Sequence, residues 1–384
     1  MEIETVAAEE AQPEQRVPRR KKLPPVTWIG VGLLLVLLIA AVAIVISGKT
    51  KQKTGADASA VYAVNADAVV QMAPYSSGVA LLTANSLEYV DPYGNLMNAS
   101  EHTFSNPVMV TAGKNLILYD RGGNALRIDK NAVKYKQIEF ESAVSCADIT
   151  GAGTYAYVLN ADGGYQSHLF AYSYKGALLF EWSSADYVLS VTVSPNGKYA
   201  AVGVLSVDNA EVRTRVEFFN FSKNEPVYTV DFSGETVYDL EFVSAKKLVV
   251  LTDRGAYAIA PDGEKTVLCE YAANEMNHTE LCKDGLGVAA VNLYGNNNNA
   301  LVRIFDKGCR NVFEREYTET VVSVRATQNY AAVVTGSEIH VLDGKNVLTG
   351  KLSPGETCMD CCISGSRIYV LTASGLHNYN LHES

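Results

Sequence analysis

One pattern recurs along most of this chain and limits its fold more than any other feature: an apolar strand, a tight polar turn and a second strand. It reads LEYVDPYGNL from Leu87, LRIDKNAVKY from Leu126, LFAYSYKGALLFEW from Leu169 and VEFFNFSKNEPVY from Val216. It returns as YAIAPDGEKTVL from Tyr257, LVRIFDKGCRNVF from Leu301, IHVLDGKNVL from Ile339 and, cut short, LHNYNL from Leu376. Successive copies start 37 to 47 residues apart. Two further strands precede each marker; the fullest pair is LSVTVSPNGKYAAVGV, turning at Pro195-Asn196-Gly197. Four strands repeated about every 40–45 residues predict the blades of a β-propeller. No helical periodicity intervenes, so the class is all-β.

The eighth copy stops after its third strand. A fourth is available at the other end of the domain, where Ala60–Val64 (AVYAV) precedes the first inner strand near Ala68–Met72. Pairing the two ends in one blade closes the ring and removes an exposed sheet edge. Residues 60–384 divide by eight into about 41 each, which matches the period. The expected fold is therefore a propeller of eight four-stranded blades; seven would require one marker to be an insertion.

Ahead of the repeats the sequence changes character. From Leu23 to Gly48 there is no charged side chain, and Val26–Ser47 is almost wholly apolar. About 20 helical residues cross a hydrocarbon core, and this run exceeds the roughly 7–15 apolar residues of a signal peptide. It is read as an uncleaved transmembrane helix over 26–47. Arg16, Arg19, Arg20, Lys21 and Lys22 precede it and Lys49, Lys51 and Lys53 follow, which puts the N-terminus in the cytoplasm. Residues 1–25 then read as a disordered cytoplasmic tail, 48–59 as a polar linker and 60–384 as an extracytoplasmic propeller at the cell membrane.

The marker, apolar-x-apolar-Asp-x-x-Gly before a strand, resembles the blade motif of quinoprotein-type and WD40-like bacterial propellers. With its basic tail, single span and eight degenerate blades, the whole chain resembles a family of membrane-anchored propellers of Gram-positive bacteria defined by a domain of unknown function. The resemblance implies a fold, and one fold hosts many activities. A quinoprotein-like enzyme would imply a docking tryptophan in each blade and a disulfide between adjacent cysteines beneath the cofactor. Only Trp182 stands at the first position; Cys361-Cys362 is the adjacent pair. Neighbours on a strand point to opposite faces, so these two read as small buried thiols. No cofactor is expected.

Charge and motifs narrow the function further. The balance of 32 Lys+Arg against 42 Asp+Glu argues against nucleic acid as a partner. No GxSxG elbow, HExxH helix or Walker loop occurs, and the G-x-G-x-x-A string at Gly285 opens a strand rather than a helix. The chain is thus not expected to be an enzyme. Asn160–Gly164 and Asp208–Glu211 gather oxygen ligands in loops, but Asx turns account for both.

One set of polar residues falls into register. With the inner strands aligned on Ser190 and Thr192, the Ser190 column holds Cys146, Asp239, His278, Ser323 and Asp360. The Thr192 column holds Asp148, Glu241, Glu280, Arg325 and Cys362. Period-two alternation sends such a set to one face, and inner strands border the central channel. Asp148, Asp239, Glu241, His278, Glu280, Arg325 and Asp360 are accordingly the candidate ligand-binding residues, with Arg325 and His278 as counter-charges. Solvated lining and a pocket for a metal ion or cationic ligand both fit this pattern; the metal is left undetermined. The functional expectation is a tethered binding or sensing module for a protein, peptide or wall-polymer partner on the outer face. An envelope-complex assembly scaffold and a quinoprotein-like oxidoreductase are the alternatives.

Overall fold

The computed structural model describes residues 52–54, 60–161, 163–208, 211–293, 298–336, 338–344 and 348–381. The proposed span at 26–47 and the basic tail lie outside the described residues. Eight sheets follow one another as blades. Blades one to seven occupy residues 69–101, 107–139, 144–184, 187–232, 237–270, 276–317 and 321–353, each with four antiparallel strands in chain order. Every marker in the sequence supplies the third strand of a blade and, in the first seven, the fourth. In blades one and six an Asp side chain sets the turn between them: Asp91 Oδ1 accepts from the Tyr93 and Asn95 amides, and Asp306 Oδ1 from those of Gly308 and Arg310. At Pro195-Asn196-Gly197 the chain turns as expected, with Gly197 at φ +67°. That backbone conformation favours glycine because it has no Cβ.

Blade eight closes the ring as the repeat count requires. Its three strands run over 360–380, and Ala60–Tyr62 pairs antiparallel with Gly375–Asn380, Tyr62 opposite Leu376. Tyr62 Oη then donates to Glu88 of blade one. Ser364 Oγ and Tyr369 Oη donate to the carbonyls of Ser76 and Ser77 across the same seam.

Of the stretch 48–59, expected to be a linker, the structure describes residues 52–54. Gln52–Thr54 is a strand, parallel to Leu348–Ser353, and makes blade seven five-stranded. An outer strand presents unpaired backbone groups, and these three residues satisfy some of them.

Eight apolar clusters hold the ring, one between each pair of neighbouring blades. Between blades one and two, for example, Leu82, Leu87, Tyr89, Leu116 and Leu118 are fully buried. Each such side chain contributes roughly 1.5–3 kcal/mol by leaving water, so these clusters dominate the polar links described below. Cys361 belongs to the cluster between blades seven and eight, Cys362 to that between blades eight and one. The adjacent thiols thus point into separate cores, and both are free.

Candidate functional site

The inner strands carry a repeated irregularity that the sequence pattern hid. In blades one, three, four, five, six and seven a β-bulge interrupts the register near the start of the inner strand, between Val188 and Ser190 in blade four. A bulge adds one unpaired residue and re-aims the side chains after it. The Ser190 column, which follows it directly, is not uniform, although Cys146, Ser190 and Asp239 all follow the same bulge. Cys146 packs in the core between blades three and four, and the hydroxyls of Ser190 and Ser323 are buried without partners. Cys362 of the other column is likewise buried, whereas Asp148, Asp239, Glu241, Glu280 and Arg325 line the channel.

The channel holds a cavity of about 850 Å³. Asp148, Asp239, Glu241, Glu280 and Arg325 line it, and at one end it meets the turns at Ser76, Gly113, Pro195 and Gln328. Asp360 and His278 are not among its lining residues. Asp360 Oδ1 accepts from Arg325 Nη2 at 2.6 Å. His278 sits half-buried beside the same arginine. Burial, then the charge of Arg325, holds its pKa below the usual histidine value, which disfavours the charged form expected of a counter-charge.

The second cation is Lys283, which no alternation pattern singled out. It stands in the turn after the inner strand of blade six and reaches across to three other blades. Its Nζ lies 2.7 Å from Glu241 Oε1 on blade five and 2.9 Å from Thr192 Oγ1 on blade four. It also meets the Val193 carbonyl at 2.8 Å and Asp148 Oδ2 on blade three at 2.6 Å. Burial opposes its charge, but Asp148 and Glu241 outweigh that and hold its pKa above the usual lysine value. Asp148 additionally accepts from the Val193 amide at 2.6 Å. Arg325 on blade seven makes the matching link between Glu280 of blade six, 3.4 Å, and Asp360 of blade eight. On the far side Gln71 of blade one bonds both backbone groups of Met109 on blade two.

Two carboxylates remain weakly compensated. Asp239 is exposed to the channel and accepts only from its neighbour's amide, Leu240 N, among the described residues. The surrounding channel wall raises its pKa, to about 6, with Asp148 adding to the rise and the water at its exposed carboxylate moderating it. Glu280 is pushed up to about 7 by burial against the pull of Arg325. A third of its side chain still meets channel water, which moderates the push. Glu241 is also raised to about 7 by burial, with Lys283 and Thr192 pulling back. The arrangement suits a positive charge arriving in the cavity, which would offset the burial that, with a smaller repulsion between neighbouring acids, raises these carboxyls.

The fold compares with solved propellers at low sequence identity. BamB from Moraxella catarrhalis aligns over 85% of this chain and 98% of its own, at 14% identity and a TM-score of 0.51. Raptor from Chaetomium thermophilum aligns over 85% of this chain and 29% of that longer chain, at 9% identity and a TM-score of 0.52. Identities this low speak for the fold alone. No curated protein matches the chain. A family model described as a family of unknown function (DUF5711) matches residues 49–381, more than half of the sequence, and the chain belongs to that family.

Proposed function

We propose that this protein is a membrane-tethered binding module, not a catalyst, whose propeller receives a cationic group of a protein, peptide or wall-polymer ligand in its channel. The observation that carries this reading is the charge balance of the cavity. Asp148, Glu241 and Asp360 are each held by Lys283 or Arg325 at short range, whereas among the described residues Asp239 makes no ion pair, feeling Lys283 only at a distance, and Glu280 has only a long contact. Those two acids, raised toward neutrality, gain most from an incoming amine or guanidinium. The quinoprotein-like alternative is disfavoured by Cys361 and Cys362, whose thiols occupy different cores and form no platform facing the channel.

A thermal-shift series on the full chain tests the binding reading. Spermidine raises the Tm of the wild type, and the Asp239→Asn/Glu280→Gln double variant loses that rise. No shift, or the same shift in both proteins, removes the reading; an equal rise with Mg²⁺ or Ca²⁺ reduces it to a general charge effect. The tether rests on the apolar run at 26–47 and the basic residues before it. Protease added to intact cells therefore degrades the chain beyond Lys49, and protection of the propeller would reverse the proposed orientation.

A further inference from the structure

A second cavity, sharing no lining residue with the channel, lies between blades one and two and has a volume of about 320 Å³. That is near the lower limit for small-molecule sites and suits a ligand of a few heavy atoms. Its wall contains Arg127, which is only 3% exposed. Arg127 sits on the third strand of blade two, opposite Leu118 and Gln137, and so turns toward blade one. Its Nε and Nη2 both donate to the carboxylate of Asp129, itself fully buried and also bonded by Tyr89 Oη. A guanidinium offers five N–H donors in a planar fork. Asp129 occupies one edge of that fork. Nη1 makes no hydrogen bond among the described residues, and Arg127 forms part of the cavity wall.

The remaining wall is specific in character. Both ring nitrogens of His102 are already engaged, Nε2 with the Thr83 carbonyl and Nδ1 with the Phe104 amide. The imidazole therefore presents only its ring, 5.5 Å from that of Phe104, as a flat apolar surface. Asn85, Thr103 and Gln137 add polar groups, and the exposed Glu101 stands in the lining as a carboxylate. We propose that this cavity binds a free α-amino acid: its carboxylate on the open end of Arg127, its ammonium toward Glu101, and its side chain against the His102–Phe104 rings. A plain carboxylate gains the arginine but meets Glu101 unpaired; a plain amine gains only the exposed Glu101. The zwitterion is the species that answers both charges. A charge-assisted hydrogen bond to a buried arginine is the strong element of such a site.

The test is equilibrium binding to the full chain of L-leucine, of 4-methylvalerate, which lacks its amine, and of isoamylamine, which lacks its carboxylate. Leucine binds saturably, 4-methylvalerate about tenfold or more weakly, and isoamylamine not measurably, since losing a charged hydrogen-bond partner costs about that factor. Replacing Arg127 alone would strand Asp129 and endanger folding, so the variants are Glu101→Gln and Arg127→Gln/Asp129→Asn. The first narrows the gap between leucine and 4-methylvalerate; the second abolishes leucine binding while the melting transition persists. Absence of saturable binding by all three compounds overturns the proposal. Tightest binding of 4-methylvalerate overturns the zwitterion assignment, and leucine binding unchanged in both variants moves it out of this cavity.

Discussion

Lys283→Met lowers the stability of the propeller by about 3–5 kcal/mol, the usual consequence of removing one partner from a buried ion pair. The lysine side chain is 14% exposed, and its partners Asp148 and Glu241 are 6% and 17% exposed. Methionine keeps the aliphatic stem but leaves two negative charges facing each other without a cation. The deficit depends on pH, and its sign follows from Glu241. Its folded pKa is already raised, and losing Lys283 raises it further. A raised carboxyl stabilises the fold while protonated and loses that contribution as pH rises through the folded value. The variant is thus weakest above pH 7 and recovers part of the loss near pH 5. Adding Asp148→Asn and Glu241→Gln restores most of the remainder. Urea titrations of the three proteins at both pH values measure this, and a deficit below about 1 kcal/mol, the scale of an exposed pair, would show that Lys283 is dispensable.

Deleting residues 60–65 is the second large perturbation. It strips the outer strand from blade eight, removes Tyr62 and Val64 from the cluster they pack against, and breaks the Tyr62–Glu88 bond to blade one. Partial burial of two such side chains is worth on the order of 3 kcal/mol, and the bared edge of Gly375–Asn380 becomes a template for aggregation. Deleting 50–55 removes only the short strand added to blade seven and costs far less. Melting curves with light scattering compare the two. Similar Tm values and no added scattering in the 60–65 deletion would mean that ring closure does not depend on the N-terminal strand.

The fold was legible because every blade solves the same packing problem. Strands such as Gly78–Thr83 and Asn115–Asp120 must bury both faces between neighbours, and this forces apolar runs and polar turns into a countable period. The charged channel was partly legible for the same reason: Asp148, Glu241, Glu280 and Arg325 occupy one alternating column. Lys283 was not, because it lies in a turn, where alternation carries no directional information. The available signal was its register, since the matching turn positions are Gly151, Pro195, Ser244, Gln328 and Gly365, none of them charged. The bulges were invisible for a different reason. An extra residue in the inner strand leaves composition unchanged, and only pairing with the next strand reveals where the register shifts.

The three-residue strand on blade seven bears on how the molecule would take a mechanical load. Tension applied to the chain before Gln52 reaches this parallel strip first, and only then Ala60–Tyr62, whose removal opens the ring. Gln52–Thr54 is thereby placed as a sacrificial fastening: it can be peeled away while the seam between the first and last blades stays shut.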